Sequence, residues 1–194
     1  MQGRLSKHTF PMSMNDTSMI HPDVCSRCAA RGRTCCTVSS GDEEFCFPIS
    51  IPEMEAIRSA GQGGEECFVL APNTPGFVKQ LSLLMPEADI RRAFPKQGSH
   101  WRLATTEQGD CVFLSPQGCV LERSVRPVYC RLFPLWVFHG QLTWFTAGEC
   151  LANEECSSLA PMLAAMGTDS AAVRELFAEM CSKLGLGPDL KVKS

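Results

Sequence analysis

The sequence has no excess of charge of either sign: 18 Lys and Arg stand against 21 Asp and Glu, for a net charge of −3. The basic footprint expected of a nucleic-acid or membrane-surface binder is therefore missing. Long hydrophobic runs are missing too. The longest, Leu132–Phe138, is short and interrupted by Pro134, so no bilayer-spanning segment is expected. The opening stretch, MQGRLSKHTFPMSMNDTSMIHPD, lacks a continuous apolar core. No secretory leader is expected, and the cytosol is the expected compartment. There is no Gly-rich phosphate loop, no HExxH helix and no defensible Ser–His–Asp order, so the familiar catalytic sets are not available.

What the chain does have is cysteine, twelve in 194 residues. It is longer than the small secreted domains that depend on disulfide staples, and in a reducing compartment its thiols stay free. Eight of them fall into two groups. The first is Cys25 and Cys28, followed by Cys35 and Cys36; the second is Cys111, Cys119, Cys130 and Cys150. Grouped thiolates of this kind read first as soft-metal ligands. With 44% apolar residues and a mean hydropathy of −0.03, the chain can also bury an ordinary single-domain core.

The local patterns predict an α+β domain, helix-rich, with short β-hairpin strands, organised around a cysteine metal site. Residues 1–22 read as a flexible arm, 23–156 as the cysteine-cluster domain, and 157–194 as C-terminal helices packing on it. The first cysteine segment reads as a knuckle-like loop rich in Arg, Gly, Ser and Thr. Ser50 and Pro52 open a helix that Gly61 ends. Pro75–Met85 has helical apolar spacing, and Pro86 opens a second short helix running to Phe94. Trp101–Ala104 and Cys111–Leu114 read as short strands, the latter pairing with the segment that begins at Cys119. Arg126 and Pro127 open a helical turn that carries Cys130 and stops at Pro134. Gln141–Ala147 reads as a strand. Ser157–Met166 forms one helix, and Thr168 or Asp169 caps the next. Its stripe of Val173, Leu176, Phe177, Met180 and Leu184 makes Cys181 a core residue rather than a ligand.

The Cys25-x2-Cys28 spacing lets two thiolates reach one ion. The adjacent Cys35 and Cys36 diverge, so one can face a site while its neighbour faces elsewhere. No histidine is well placed within either group, His100 and His139 being the nearest, so the ligand set is all sulfur and suits zinc or an iron–sulfur cluster, including the [4Fe–4S] type. Spacings of 8, 11 and 20 in the second group match neither a second zinc knuckle nor the ferredoxin run. Either centre carries net negative charge, which Arg27, Arg31, Arg33, Arg123, Arg126 or Arg131 can offset, with Arg131 the foremost of these. Gly109, Gly118 and Gly148 can turn backbone N–H groups toward sulfur.

This order of motifs resembles the bacterial YkgJ-like cysteine-cluster family, described as zinc- or iron-chelating CxxCxxCC proteins. The resemblance runs through Cys25, Cys28, Cys35 and Cys36, then Cys111-Val-Phe-Leu, Gly118-Cys119 and Arg126-Pro-x2-Cys130-Arg-x-Phe133-Pro134, covering about residues 23–150. It implies an eight-cysteine metal site, with Cys46, Cys67 and Cys156 as substitutes. Six residues rather than two precede the vicinal pair here. Some larger relatives are linked to lysine methylation of a protein, so an enzyme acting on a protein substrate is one alternative function. A cysteine-rich interaction module, docking a protein partner through the aromatic run Phe133–Phe145, is another. The first group also resembles half of a fungal Zn2Cys6 DNA-binding module, whose second half is missing; no nucleic-acid partner is expected.

Overall fold

In chain order the elements are α1 (Asp23–Ala29), α2 (Ile51–Ser59), β1 (Phe68–Pro72), α3 (Pro75–Leu84), α4 (Ile90–Ala93), β2 (Ser99–Leu103), β3 (Leu114–Ser115), β4 (Gly118–Cys119), α5 (Val128–Leu132), β5 (Leu135–Phe138), β6 (Gln141–Trp144), α6 (Leu151–Glu155), α7 (Leu159–Ala165) and α8 (Ser170–Lys183). This computed structural model describes residues 23–32 and 34–187. The expected N-terminal arm and Arg33 lie outside the described residues. Each β-strand pairs antiparallel with one other: β1 with β2, β3 with β4, β5 with β6. The chain is therefore an α+β domain of short helices and isolated hairpins.

Side-chain caps set most of the longer helices. Ser50 and Glu53 form a reciprocal capping box on α2, Thr74 accepts from the Phe77 amide on α3, and Asp169 accepts from Ala171 and Ala172 on α8. The tight turn between β5 and β6 places His139 at φ 47° and Gly140 at φ 69°. Two positive φ angles in a two-residue loop match the right-handed twist of the flanking strands.

Two apolar clusters fill the interior. The larger joins α3, α5, β5, α7 and α8 through Phe77, Leu81, Leu132, Trp136, Met162 and Val173. Trp136 is 1% exposed, and its indole N–H donates to the Leu84 carbonyl at 3.0 Å, so it buries its area without stranding its polar atom. The smaller cluster joins α2, β1 and the β3–β4 hairpin through Met54, Ile57, Phe68, Phe113 and Leu121. Helix α5 contacts α8, and α1 contacts both α6 and β4.

Several expectations are corrected. Cys25 and Cys28 sit on a helix, α1, rather than on a loop; three-residue spacing puts them one turn apart on it. The helix opened by Pro86 shrinks to the single turn of α4, because Asp89 caps it late. The strand around Cys111 contracts to Leu114–Ser115, with Leu114 opposite Cys119. The expected strands at Trp101 and Gln141 are present as β2 and β6, but their partners β1 and β5 were not expected, their alternation being too weak to read locally. The aromatic run Phe133–Phe145 largely packs inward, as core packing rather than a docking face was expected: Trp136 sits at 5.2 Å from Phe145 and 5.0 Å from Phe177 between ring centroids. The C-terminal stripe behaves as expected, with Val173 and Met180 buried and Cys181 packed against the same core.

Candidate metal centre

The two cysteine segments are stitched together by the backbone. The Cys111 N–H donates to the Cys36 carbonyl at 2.8 Å, and Val38 N–H to the Gly109 carbonyl at 2.9 Å. The Thr37 hydroxyl donates to the Asp110 carboxylate at 2.6 Å. Gly109 is required here: its φ is +86°, and a Cβ would overlap the Val38 carbonyl. Helix α1 is fastened to α6 by the Arg27–Glu155 fork at 2.5 and 2.9 Å and by Arg31–Glu154 at 2.8 Å. Gly118 holds φ at +106°, which suits glycine, where β4 lies against the backbone of Ser26.

Cys130 comes from the other side, on α5. The buried Glu53 carboxylate accepts from the Val128 N–H at 2.8 Å, while its other oxygen accepts from Ser50 N–H and hydroxyl at 2.7 and 2.6 Å. One carboxylate thus ties the start of α2 to the start of α5, where helix amides need an acceptor. Cys150 sits at the N-terminal boundary of α6.

The result is a cavity of about 120 Å³ lined by all eight expected cysteines: Cys25, Cys28, Cys35, Cys36, Cys111, Cys119, Cys130 and Cys150. The space for one water is roughly 10–15 Å³, so the cavity exceeds it several-fold. Its remaining wall is mainly apolar, including Phe113, Leu121, Phe133 and Met166. Cys25, Cys35 and Cys130 count as exposed by area, yet burial is a leading cause of the raised pKa of each. All three line this cavity.

That environment keeps most of the thiols protonated. Burial, then repulsion from Cys36, pushes Cys25 up to about 11, against the pull of Arg126. Burial pushes Cys111 up to about 12 and raises Cys119, Cys130 and Cys150 as well. Within the vicinal pair the two thiols split. The Cys35 thiol hydrogen-bonds to Cys36, which lowers Cys36 and raises Cys35, and the Thr34 hydroxyl adds to the lowering. Tyr129 also lines the cavity, stacked on Phe47 at 4.0 Å, and burial raises its phenol.

The donor chemistry of the lining fits a soft metal or cluster. The spacing is another matter: among the described residues no group of three or more His, Cys, Asp or Glu side chains is arranged to hold a metal ion. The thiols share a wall without converging on a point.

The cations divide differently from expectation. Arg131 stands 3.9 Å from Glu179 on α8 and does not line the cavity. Arg126 does line it, and its guanidinium holds the hairpin by donating to the Leu121 and Cys119 carbonyls at 2.9 and 3.0 Å. Among the substitute thiols, Cys156 is in the main core, Cys67 packs in the smaller cluster, and Cys46 lines an adjoining cavity. Sequence reasoning assigned Glu53 no role. Its signal was the Ser50-x-x-Glu53 capping box, which does not reveal the reach to Val128.

Comparison with known protein families, with curated proteins and with solved structures yields no match. Among the described residues no helix is long and apolar enough to cross a membrane.

Proposed function

We propose that this chain is a cytosolic metal-binding protein of the YkgJ-like cysteine-cluster type, holding an all-thiolate centre, iron–sulfur or zinc, in the cavity between α1, the β3–β4 hairpin and α5. One observation carries the reading: two cysteine groups, separated by about 75 residues of other chain, line a single cavity with all eight of their thiols. Thiols scattered for packing alone would distribute as Cys67, Cys156 and Cys181 do, among separate parts of the two cores.

The chemistry of loading follows from the protonated thiols. Each ligating sulfur gives up its proton to solvent, so affinity rises with pH and binding draws the side chains inward. Bound metal replaces the proton that burial now favours, and Arg126 offsets part of the charge of the resulting thiolates. The size of the cavity favours a multi-atom cluster or more than one ion over a single zinc.

The test is anaerobic purification of the full chain, followed by metal and acid-labile sulfide analysis with an absorption spectrum. Iron with matching sulfide and visible charge-transfer absorption identifies a cluster; stoichiometric zinc in a colourless protein identifies zinc thiolate. A chain that carries neither, and takes up neither when reconstituted, overturns the reading.

A further inference from the structure

A second cavity, of about 170 Å³, adjoins the first. Cys35, Cys36, Cys111 and Cys130 line both. Cys25, Cys28, Cys119 and Cys150 line only the first, and Cys46 lines only the second. These four cysteines are therefore a shared partition, and each cavity has further cysteine in its own wall. A ligated thiolate keeps further lone pairs and can bridge two soft cations, which a neutral or nitrogen ligand does less readily.

Cys46 is placed for this by its neighbours. It follows the 3₁₀ turn Glu43–Phe45, whose Glu43 carbonyl accepts its N–H at 3.2 Å. The next residue, Phe47, stacks face to face on Tyr129 of α5, beside Cys130. The stack anchors the Cys46 segment to the helix that supplies a shared thiol. Cys67 is also half-buried, but it lines neither cavity and packs beside Gly63 instead. Among the four cysteines outside the two groups, Cys46 is the one that reaches either cavity.

Resting on the thiolate reading above, we propose that the second cavity is a further metal site, taking a divalent cation of the zinc class on Cys46 together with thiolates of the shared partition. Loading it releases one proton to solvent per thiol newly ligated and moves no electrons. The centre then spans both cavities, with nine thiols rather than eight.

Zinc added anaerobically to the reduced, chelator-stripped full chain tests this, with metal counted by native mass spectrometry and thiols mapped by alkylation and peptide analysis. The expected result is that zinc slows alkylation of Cys46 and leaves that of Cys67 unchanged. Cys46→Ser should bind one zinc per chain fewer than the wild type, and Cys67→Ser the wild-type number. If Cys46 is alkylated equally fast with and without zinc, or Cys46→Ser keeps the full complement, the second site is wrong while the first stands. The protection measurement uses wild-type protein, so a misfolded variant cannot decide the outcome. A wild-type chain that binds no metal sinks both readings.

Discussion

Helix α5 has two sides, and they border on opposite kinds of interior. Val128 and Leu132 are 0% and 1% exposed and press into the core built by α3, β5 and α8. Tyr129 and Cys130 face the cysteine cavity. On the first side carbon meets carbon at close packing, and rotamers are settled by the neighbours. On the second, space remains, and thiols together with Thr34, Arg126 and Tyr129 supply the polar atoms of the wall. A small domain gains stability by filling space.

The sharpest break of the filled side is Trp136→Ala. It removes the largest fully buried side chain and the hydrogen bond to Leu84, and should lower unfolding free energy by about 3–5 kcal/mol, read by denaturant titration. If the loss is under 1 kcal/mol, the core is not packed as described. Glu53→Ala acts on the seam between the two sides. It strands the buried Val128 amide and the Ser50 donors, so a loss on the order of 2–3 kcal/mol is expected. It should also disturb metal uptake, because the helix bearing Cys130 loses its anchor; unchanged affinity would separate the anchor from the site.

A third effect is acid sensitivity at His100. Its ring is stacked on Phe77 at 3.7 Å, and its Nδ1 is 2.9 Å from the Asn73 carbonyl oxygen. Because the Asn73 amide donates to the Pro95 carbonyl, its oxygen faces the ring, and Nδ1 carries the proton. Burial, then the charge of Arg102, lowers the imidazole from 6.5 to about 4. The unfolded chain therefore takes up a proton at higher pH than the folded one. Stability from this group is intact above about 6.5 and is lost as pH falls toward about 4. The loss should be on the order of 2 kcal/mol, measured as the drop in urea midpoint between pH 7 and pH 4.5. His100→Gln, which cannot protonate, should show less of that drop; an equal drop would assign it to other groups.

Smallest for the metal-free fold, and largest for the site, are single thiol changes. Cys130→Ser and Cys25→Ser should cut metal content and the extra stability that metal confers, by elemental analysis and thermal melts with and without chelator. Cys181→Ser lies on the filled side and should keep the metal. Metal loss in Cys181→Ser, or metal kept in Cys130→Ser, would erase the contrast between the two sides of α5.

Much of this was readable in order along the chain. Capped helices announced themselves at Ser50 and Asp169, because a side chain bonding an amide two or three residues on is a local event; the cap at Thr74 was not read, although the apolar spacing from Pro75 was. Cys181 was readable from its helical stripe. Strands β1 and β5 were not, because a two-stranded ribbon is stabilised by a partner tens of residues away or by burial on a shared core. The one-turn α1 pairing of Cys25 and Cys28 was hidden by residues with loop-like composition, which contacts with α6 and β4 override. Arg131 was favoured for its adjacency to Cys130, but a neighbour in a helix points elsewhere, and it turns to Glu179.

The sequence by itself determined the inventory: many cysteines in two groups, scarce histidine, balanced charge, and caps that start the longer helices. Composition and short-range hydrogen bonding are properties of the chain alone. Only the tertiary structure decided which thiols share a wall, that Arg126 rather than Arg131 stands beside them, and that Cys46 reaches the adjoining space. Those outcomes depend on contacts such as Glu53 to Val128 and Cys111 to Cys36, made between segments that meet only when the apolar core closes.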